Sequence, residues 1–383
     1  MGRVEKPSRK DSYVKGGYYD YSLLFLTLFL VAFGLVMIYS TSSYTAQIAK
    51  GDSMYYLKRQ GVSAIIGVIG MLILSKMDYR IFLAKLPILK MRFVTLIYFV
   101  AIILQIYVLI FGMEINYKKR WISLGKFGTF QPSDLSKVAV ILFVSYLIYL
   151  SPKAISKFSG FMRIAIYISP LIVLIGKENM STAIIICLIM GGICFVASKK
   201  KGYFVIAILL MVGAFALFLL FGEAFRLNRF DIWLNVETNE DAFQILQGLY
   251  AIASGGLTGK GLGGSMQKLG YVPEAQNDMI FSIICEELGL FGAVTVLILF
   301  VLLIWRLFII SINSPNLFGG LMCAGVLIHI AAQVIINVAV VTNSIPSTGI
   351  PLPFISYGGT SVAVLLAEIG LVLSVSNQIR YER

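Results

Sequence analysis

The chain has 383 residues, 58% of them hydrophobic and only 13% charged, with a mean hydropathy of +0.86. So few charges cannot cover a globular surface, which excludes an ordinary soluble domain. The net charge of +13 fits the Lys and Arg that cytoplasmic loops of membrane proteins collect, and no nucleic acid is needed to explain it.

Residues 1–20 form a basic, polar tail, and no short apolar core with a small-residue cleavage site follows. The tail therefore reads as retained and cytoplasmic, not as a signal peptide. Residues 21–380 read as one transmembrane domain. Apolar runs predict ten spans, at about 22–40, 61–77, 93–112, 135–151, 162–176, 181–198, 202–222, 279–306, 317–342 and 360–377. Each approaches the ~20 residues that cross ~30 Å of hydrocarbon. The expected fold is an all-α polytopic integral membrane protein.

Charge sets the orientation. Basic residues gather in the tail, after span two (Arg80, Lys85, Lys90, Arg92), after span four (Lys153, Lys157, Arg163), after span six (Lys199, Lys200, Lys201) and at the end (Arg380, Arg383). All face one side if both termini are cytoplasmic. The large loop 222–278 between spans seven and eight then faces outside.

One external loop breaks the rule. Residues 112–137 carry Lys118, Lys119, Arg120, Lys126 and Lys137 against Glu114 and Asp134. A basic cluster beside the membrane suits an anionic lipid headgroup or a pyrophosphate. Asp134 and Lys137, three residues apart, share a helix face and predict an ion pair. Ser133 is the expected N-cap there. Trp121 has a bland reading as an interface anchor.

In the long loop, Ala242, Leu246, Leu249 and Tyr250 recur at helical spacing and predict an amphipathic interfacial helix over 241–254. The following GGLTGKGLGGS, 255–265, contains Lys260 but lacks Walker-A spacing. It reads as a tight re-entrant turn where backbone approaches backbone or ligand.

Asp278 stands where the polar loop meets the apolar run of span eight. It either caps that helix or performs chemistry. Glu286 lies ~12 Å deeper along a helix and is rotated by about 80°, Glu287 by about 180°, so neither shares a proton with Asp278. Glu286, Glu287 and Glu368 in span ten are intramembrane acids, expected to be paired inside the bundle or functional. His329, the single histidine, lies in an apolar run and reads as a packing or hydrogen-bonded His before a proton carrier. The cysteines, Cys187, Cys194, Cys285 and Cys323, lie in or beside apolar runs without metal-ligand spacing. The loop 342–360, with three prolines and the turn Ser356-Tyr357-Gly-Gly, predicts a rigid external element packed into the outer cavity.

At these residues the chain resembles a known family. KRWISLGKFGTFQPSDLSK (119–137), GKGLGGS (259–265), QNDMIFSIICEELGLFG (276–292) and GIPLPFISYGG (349–359) are similar to motifs of the SEDS family, which comprises FtsW, RodA and SpoVE. The likeness runs in order from about 18 to 380. Asp134 stands where the family usually has Glu, and KENMS (177–181) stands where many members have QPDLG. DYSLLF…MIYSTSS, LKRQ and VTNSIPSTG look nearer to FtsW or SpoVE than to RodA.

The resemblance implies a peptidoglycan glycosyltransferase that polymerises lipid II, the undecaprenyl-pyrophosphate-linked disaccharide-pentapeptide. It implies work beside a class B penicillin-binding protein and other divisome proteins, in the bacterial plasma membrane at the division septum. By motif, Asp278 is the essential acid and general base. Lys118, Lys119, Arg120, Trp121, Gln131, Ser133, Asp134, Lys137, Lys260, Ser356 and Tyr357 are candidates for lipid II or its pyrophosphate. No cofactor is identified, and the pyrophosphate leaves room for a divalent cation, Mg or Mn. Two rival readings stand: a lipid II flippase using buried acids, and a non-catalytic scaffold for a penicillin-binding protein.

Overall fold

The structure, a computed structural model, describes residues 18–87, 90–115, 118–123, 125, 129–205 and 224–379. In chain order its helices and strands are α1 (Tyr21–Lys50), α2 (Tyr55–Lys76), α3 (Phe93–Phe111), β1 (Met113–Ile115), β2 (Lys118–Ser123), β3 (Thr129–Phe130), α4 (Pro132–Leu150), α5 (Phe158–Glu178), α6 (Met180–Ala197), α7 (Ala224–Leu234), α8 (Phe243–Gly255), α9 (Ile280–Ile312), α10 (Leu317–Val341) and α11 (Thr360–Ser376). Among the described residues, eight helices (α1–α6, α9 and α10) are long and apolar enough to cross a membrane. The protein is a helical, polytopic membrane protein. α11, where the tenth span was expected, is a shorter apolar helix. Most of the seventh expected span, 202–222, lies outside the described residues.

The helical fold is as expected, with one local addition: the basic loop after α3 forms a three-stranded antiparallel sheet in the order β1-β2-β3. One boundary is corrected. α1 does not stop near residue 40 but continues to Lys50 and ends at Gly51 in the left-handed conformation. Ser40, at the end of the apolar run, reaches Glu287 of α9.

α4 is the most enclosed span. Its sequence is apolar nearly all round after Lys137, which suits a helix surrounded by others. It packs among α3, α6 and α10. α2 and α11 pack closely through small residues: a Cβ on Gly67 would meet Leu366 and Ala363 at 2.7–2.8 Å, and one on Gly370 would meet the Met71 carbonyl at 2.7 Å. The two ends of the described residues meet too. Asp20 accepts the Leu23 N–H to cap α1, pairs with Arg306 at 2.6 Å, and lies beside the Tyr18 N–H to Ile379 bond.

α9 decides where Asp278 sits. It is broken at Gly289, whose φ of 67° and ψ of −168° no helix contains. The break frees backbone groups that would be costly in hydrocarbon. The glycine-rich loop after α8 satisfies them. Lys260 and Gly261 donate their N–H groups to the Glu286 and Glu287 carbonyls at 3.0 and 2.9 Å, while Leu290 and Phe291 donate to Gly256 and Leu257 at 2.9 and 3.2 Å. The approach is so close that a Cβ on Gly289 would lie 2.4 Å from the Gly259 nitrogen. This is the backbone-on-backbone turn that the sequence implied.

α8 itself packs differently from the expected interfacial helix. Its buried face is Ile245, Gly248, Ala251 and Gly255, laid against α9, while Tyr250 is exposed and Leu246 and Leu249 are only half-buried. Gly248 and Gly255 sit against Met279 and the Cys285 carbonyl, where a Cβ would fall 2.4 and 2.0 Å away. Small residues, invisible to an apolar-periodicity reading, define the contact.

Candidate functional site

Asp278 lies just before α9 and is partly buried. It does not cap the helix: Met279 occupies the cap position and no side chain bonds the first turn. The surrounding chain holds it instead. Asn337 of α10 donates from Nδ2 to the carbonyls of Asp278 and Ile350, both at 2.8 Å. Gly349, at a φ of +66°, lies in contact range: a Cβ there would be 3.8 Å from Asp278 Oδ2. Burial raises the Asp278 pKa above the ordinary carboxylate range; a backbone N–H opposes this, Glu274 pushes it further up, and the Arg229 charge pulls it down. Among the described residues Asp278 forms no salt bridge.

Arg229 is a residue the sequence reading did not single out. It sits on α7, which is fastened to the proline-rich loop: Arg229 Nη1 donates to Ser347 O at 3.0 Å and Trp233 Nε1 to Asn343 O at 2.9 Å. Arg229 also acts on Arg120. The Arg120 pKa is lowered by burial first and by Arg229 second, with Glu178 opposing. Arg229 therefore lies where its charge reaches both the acid and the basic hairpin. The available signal is the pair of arginines in RLNR (226–229) within the external loop.

The hairpin is tied to the end of α5. Arg120 Nε donates to the Glu178 carbonyl at 2.6 Å, and the Lys119 N–H donates to Glu178 Oε2 at 3.0 Å. Glu178 was also missed, because it lies in the segment that departs from the family pattern. Lys118, Lys119, Arg120 and Trp121 are all half-buried on β2. Lys126 lies outside the described residues.

The remaining candidates divide. Asp134 and Lys137 form the expected pair at 2.8 Å, both nearly fully buried, so the Lys137 ammonium is held by its own helix. Ser133 is not the N-cap. Gln131 holds that position with Pro132 following it, and the buried Ser133 Oγ makes no hydrogen bond among the described residues. The fixed φ of proline suits a first helical position and moves the cap back by two residues. Lys260 does not reach toward the hairpin; its amine pairs with Glu286 at 2.7 Å and bonds Ser254 Oγ at 3.0 Å. Glu286 further accepts from Ser265 and the Met266 N–H. Glu287 pairs with Lys268 at 2.7 Å and accepts from Ser40. Glu368 meets His329 Nδ1 at 2.8 Å. All three intramembrane acids are thus paired inside the bundle. Ser356 is buried and its Oγ accepts the Leu352 N–H at 2.9 Å, closing a turn. Tyr357 lies beside the site, its N–H donating to Gln276 O at 2.8 Å.

The fold and site define a polytopic membrane protein that holds a partly buried carboxylate within reach of the Arg229 charge, at the loop end of α9. The chain belongs to the FtsW/RodA/SpoVE family, described as cell cycle proteins, which matches residues 21–381. It is 37% identical over 371 residues to stage V sporulation protein E of Bacillus subtilis, covering 94% of this chain and 98% of that protein. It is 34% identical over 364 residues to a probable peptidoglycan glycosyltransferase FtsW of Trichlorobacter lovleyi, covering 94% and 93%. Among solved structures it resembles a chain of a peptidoglycan synthase complex studied for coordinated polymerization and crosslinking, with a TM-score of 0.77, 26% identity and coverage of 95% and 99%. It also resembles the rod shape determining protein RodA of Thermus thermophilus, with a TM-score of 0.69, 26% identity and coverage of 95% and 98%.

Proposed function

We propose that this protein is a peptidoglycan glycosyltransferase that polymerises lipid II, with Asp278 as its general base. The observation that carries the reading is the Asp278 carboxylate: partly buried, with a raised pKa, on a backbone anchored by Asn337 and within reach of the Arg229 charge. A base with a pKa moved toward neutrality is better matched to taking a proton from a sugar hydroxyl, a contribution of ~10²–10⁴-fold. The acceptor hydroxyl oxygen bonds the anomeric carbon of the donor as its bond to pyrophosphate breaks. The pyrophosphate leaves with the electron pair, and the hydroxyl proton passes to Asp278. Attack opposite the leaving group inverts the anomeric carbon. Arg120 and Arg229 supply positive charge for the departing anion. Lys137 and Lys260, committed to Asp134 and Glu286, serve the scaffold.

A divalent cation, Mg or Mn, would neutralise the leaving pyrophosphate. Among the described residues no group of three His, Cys, Asp or Glu side chains could hold one, so the substrate's own oxygens and water would supply most of its ligands.

Ten spans with both termini cytoplasmic, an external site, a class B penicillin-binding protein partner and action at the septum in division or sporulation complete the proposal. The likeness to FtsW, to stage V sporulation protein E and to a synthase complex supports it. A flippase needs acids open to a transport path, and Glu286, Glu287 and Glu368 are instead tied to Lys260, Lys268 and His329. The test is polymerisation of purified lipid II by the purified protein and its Asp278→Asn variant. The proposal expects glycan ladders from the first and none from the second. Ladders of equal intensity from both would refute the assignment of the base.

A further inference from the structure

A glycosyltransferase must grip sugar rings as well as an anion, and the residues around Asp278 described so far are mostly charged. A different cluster lies on the other stretch of the same loop. The proline-rich loop meets α7 at 343–347, passes Asp278 at 349–350, and then reaches α2 at 356–359. At α2 the ring of Tyr357 meets that of Tyr56 edge to face, with centroids 5.0 Å apart and planes at 82°. Tyr55 packs edge-on beside Tyr56 at 5.2 Å and 90°. The exposed Arg59 guanidinium lies over the Tyr55 ring at 4.7 Å.

This cluster is built rigidly. Gln60, buried below it, donates to Ser356 O at 3.4 Å and accepts from the Gly358 and Gly359 N–H groups at 3.3 and 3.1 Å. The Tyr357 N–H is bonded to Gln276 O, two positions before Asp278. The rings remain only half-buried.

We propose that Tyr56, Tyr357 and Arg59 form a carbohydrate subsite that holds an N-acetylated amino-sugar ring of the glycan beside Asp278. This rests on the polymerase reading for its substrate. A pyranose presents a face of C–H groups, and the negative face of an aromatic ring attracts their partial positive charge. Two rings packed edge to face leave an aromatic face clear of their partner. Arg59 offers planar donors to hydroxyl and acetamido oxygens at the margin. Tyrosines at a membrane boundary also serve as plain interfacial anchors. An anchor does not require that the Tyr357 backbone be locked to the turn carrying the catalytic acid, and here it is.

The test uses the full-length protein in detergent with chitotetraose, a β-linked N-acetylglucosamine tetrasaccharide that lacks lipid and pyrophosphate. Saturation-transfer NMR should show binding to the wild type and to Asp278→Asn alike. Tyr56→Leu and Tyr357→Leu should each weaken it about five- to tenfold, the loss of one aromatic contact, whereas Tyr56→Trp should retain it. In the polymerisation assay the two leucine variants should raise KM for lipid II by a similar factor, leave kcat within about twofold, and yield shorter strands. Should a leucine variant fail to fold, Arg59→Met, expected to raise KM alone, takes its place. Chitotetraose binding unchanged in Tyr56→Leu, or absent in the wild type, overturns the subsite. Because binding is read without turnover, an active Asp278→Asn would strike the base assignment and leave the subsite standing.

Discussion

The two ends of the first half of α9 carry acids treated in opposite ways. Glu286 and Glu287, deep in the bundle, are fully enclosed and each is matched by a lysine at 2.7 Å and a serine hydroxyl. Asp278, at the mouth, is partly buried, forms no salt bridge among the described residues and keeps a raised pKa. A buried charge costs several kcal/mol unless it is paired. The protein covers that cost for the two acids that fasten the glycine loop to α9. It leaves it partly uncovered for Asp278, the acid proposed as the general base. On that proposal the difference separates scaffold from chemistry among carboxylates that one sequence motif presents together.

The comparison can be broken most sharply at Asp278. Asp278→Asn should lower polymerisation by ~10²–10⁴-fold while raising the melting temperature at neutral pH. The sign follows from the raised pKa. Such a group favours folding when protonated and loses that contribution as pH rises through its folded-state pKa, so an asparagine removes a penalty paid at pH 7. A variant that is both inactive and less stable at pH 7 would mean that Asp278 is structural.

Glu287→Gln should behave in the reverse way. It strands the buried Lys268 charge and should cost about 3–5 kcal/mol of stability, read as a large fall in melting temperature, with activity per folded molecule retained. An unchanged melting temperature would show that the lysine pairs are dispensable.

Gly289→Ala comes next. An alanine there suffers both the positive φ and a Cβ 2.4 Å from the Gly259 nitrogen, a penalty of about 1–3 kcal/mol. Thermal melting again reports it, and a neutral result would mean that the break in α9 can close.

The smallest effect is the most diagnostic. Arg229 pulls the Asp278 pKa down, so Arg229→Gln should move the acid limb of the kcat/KM profile to higher pH. A limb that stays in place would separate Arg229 from the acid electrostatically.

Parts of this arrangement were legible residue by residue. Asp134 and Lys137 are three apart on one helix, so their pair needed only helix geometry. The density of glycines in 255–265 announced a close backbone approach. Intramembrane acids announced partners, because an unpaired charge in hydrocarbon is too costly. The cap was misread at Ser133, since Pro132 moved the first helical residue back. The α8 face was misread because glycines, not large apolar side chains, make the contact.

The sequence by itself determined a membrane-embedded helical protein, most of its spans and the family, because hydropathy, charge bias and motif are local properties of the chain. Only the tertiary structure decided which lysine answers which glutamate, that Ser40 reaches Glu287 across 247 positions, that a glycine loop repairs the break in α9, and that the Arg229 charge reaches Asp278. Those contacts arise from packing between segments distant in sequence, where nothing in the local pattern of either partner names the other.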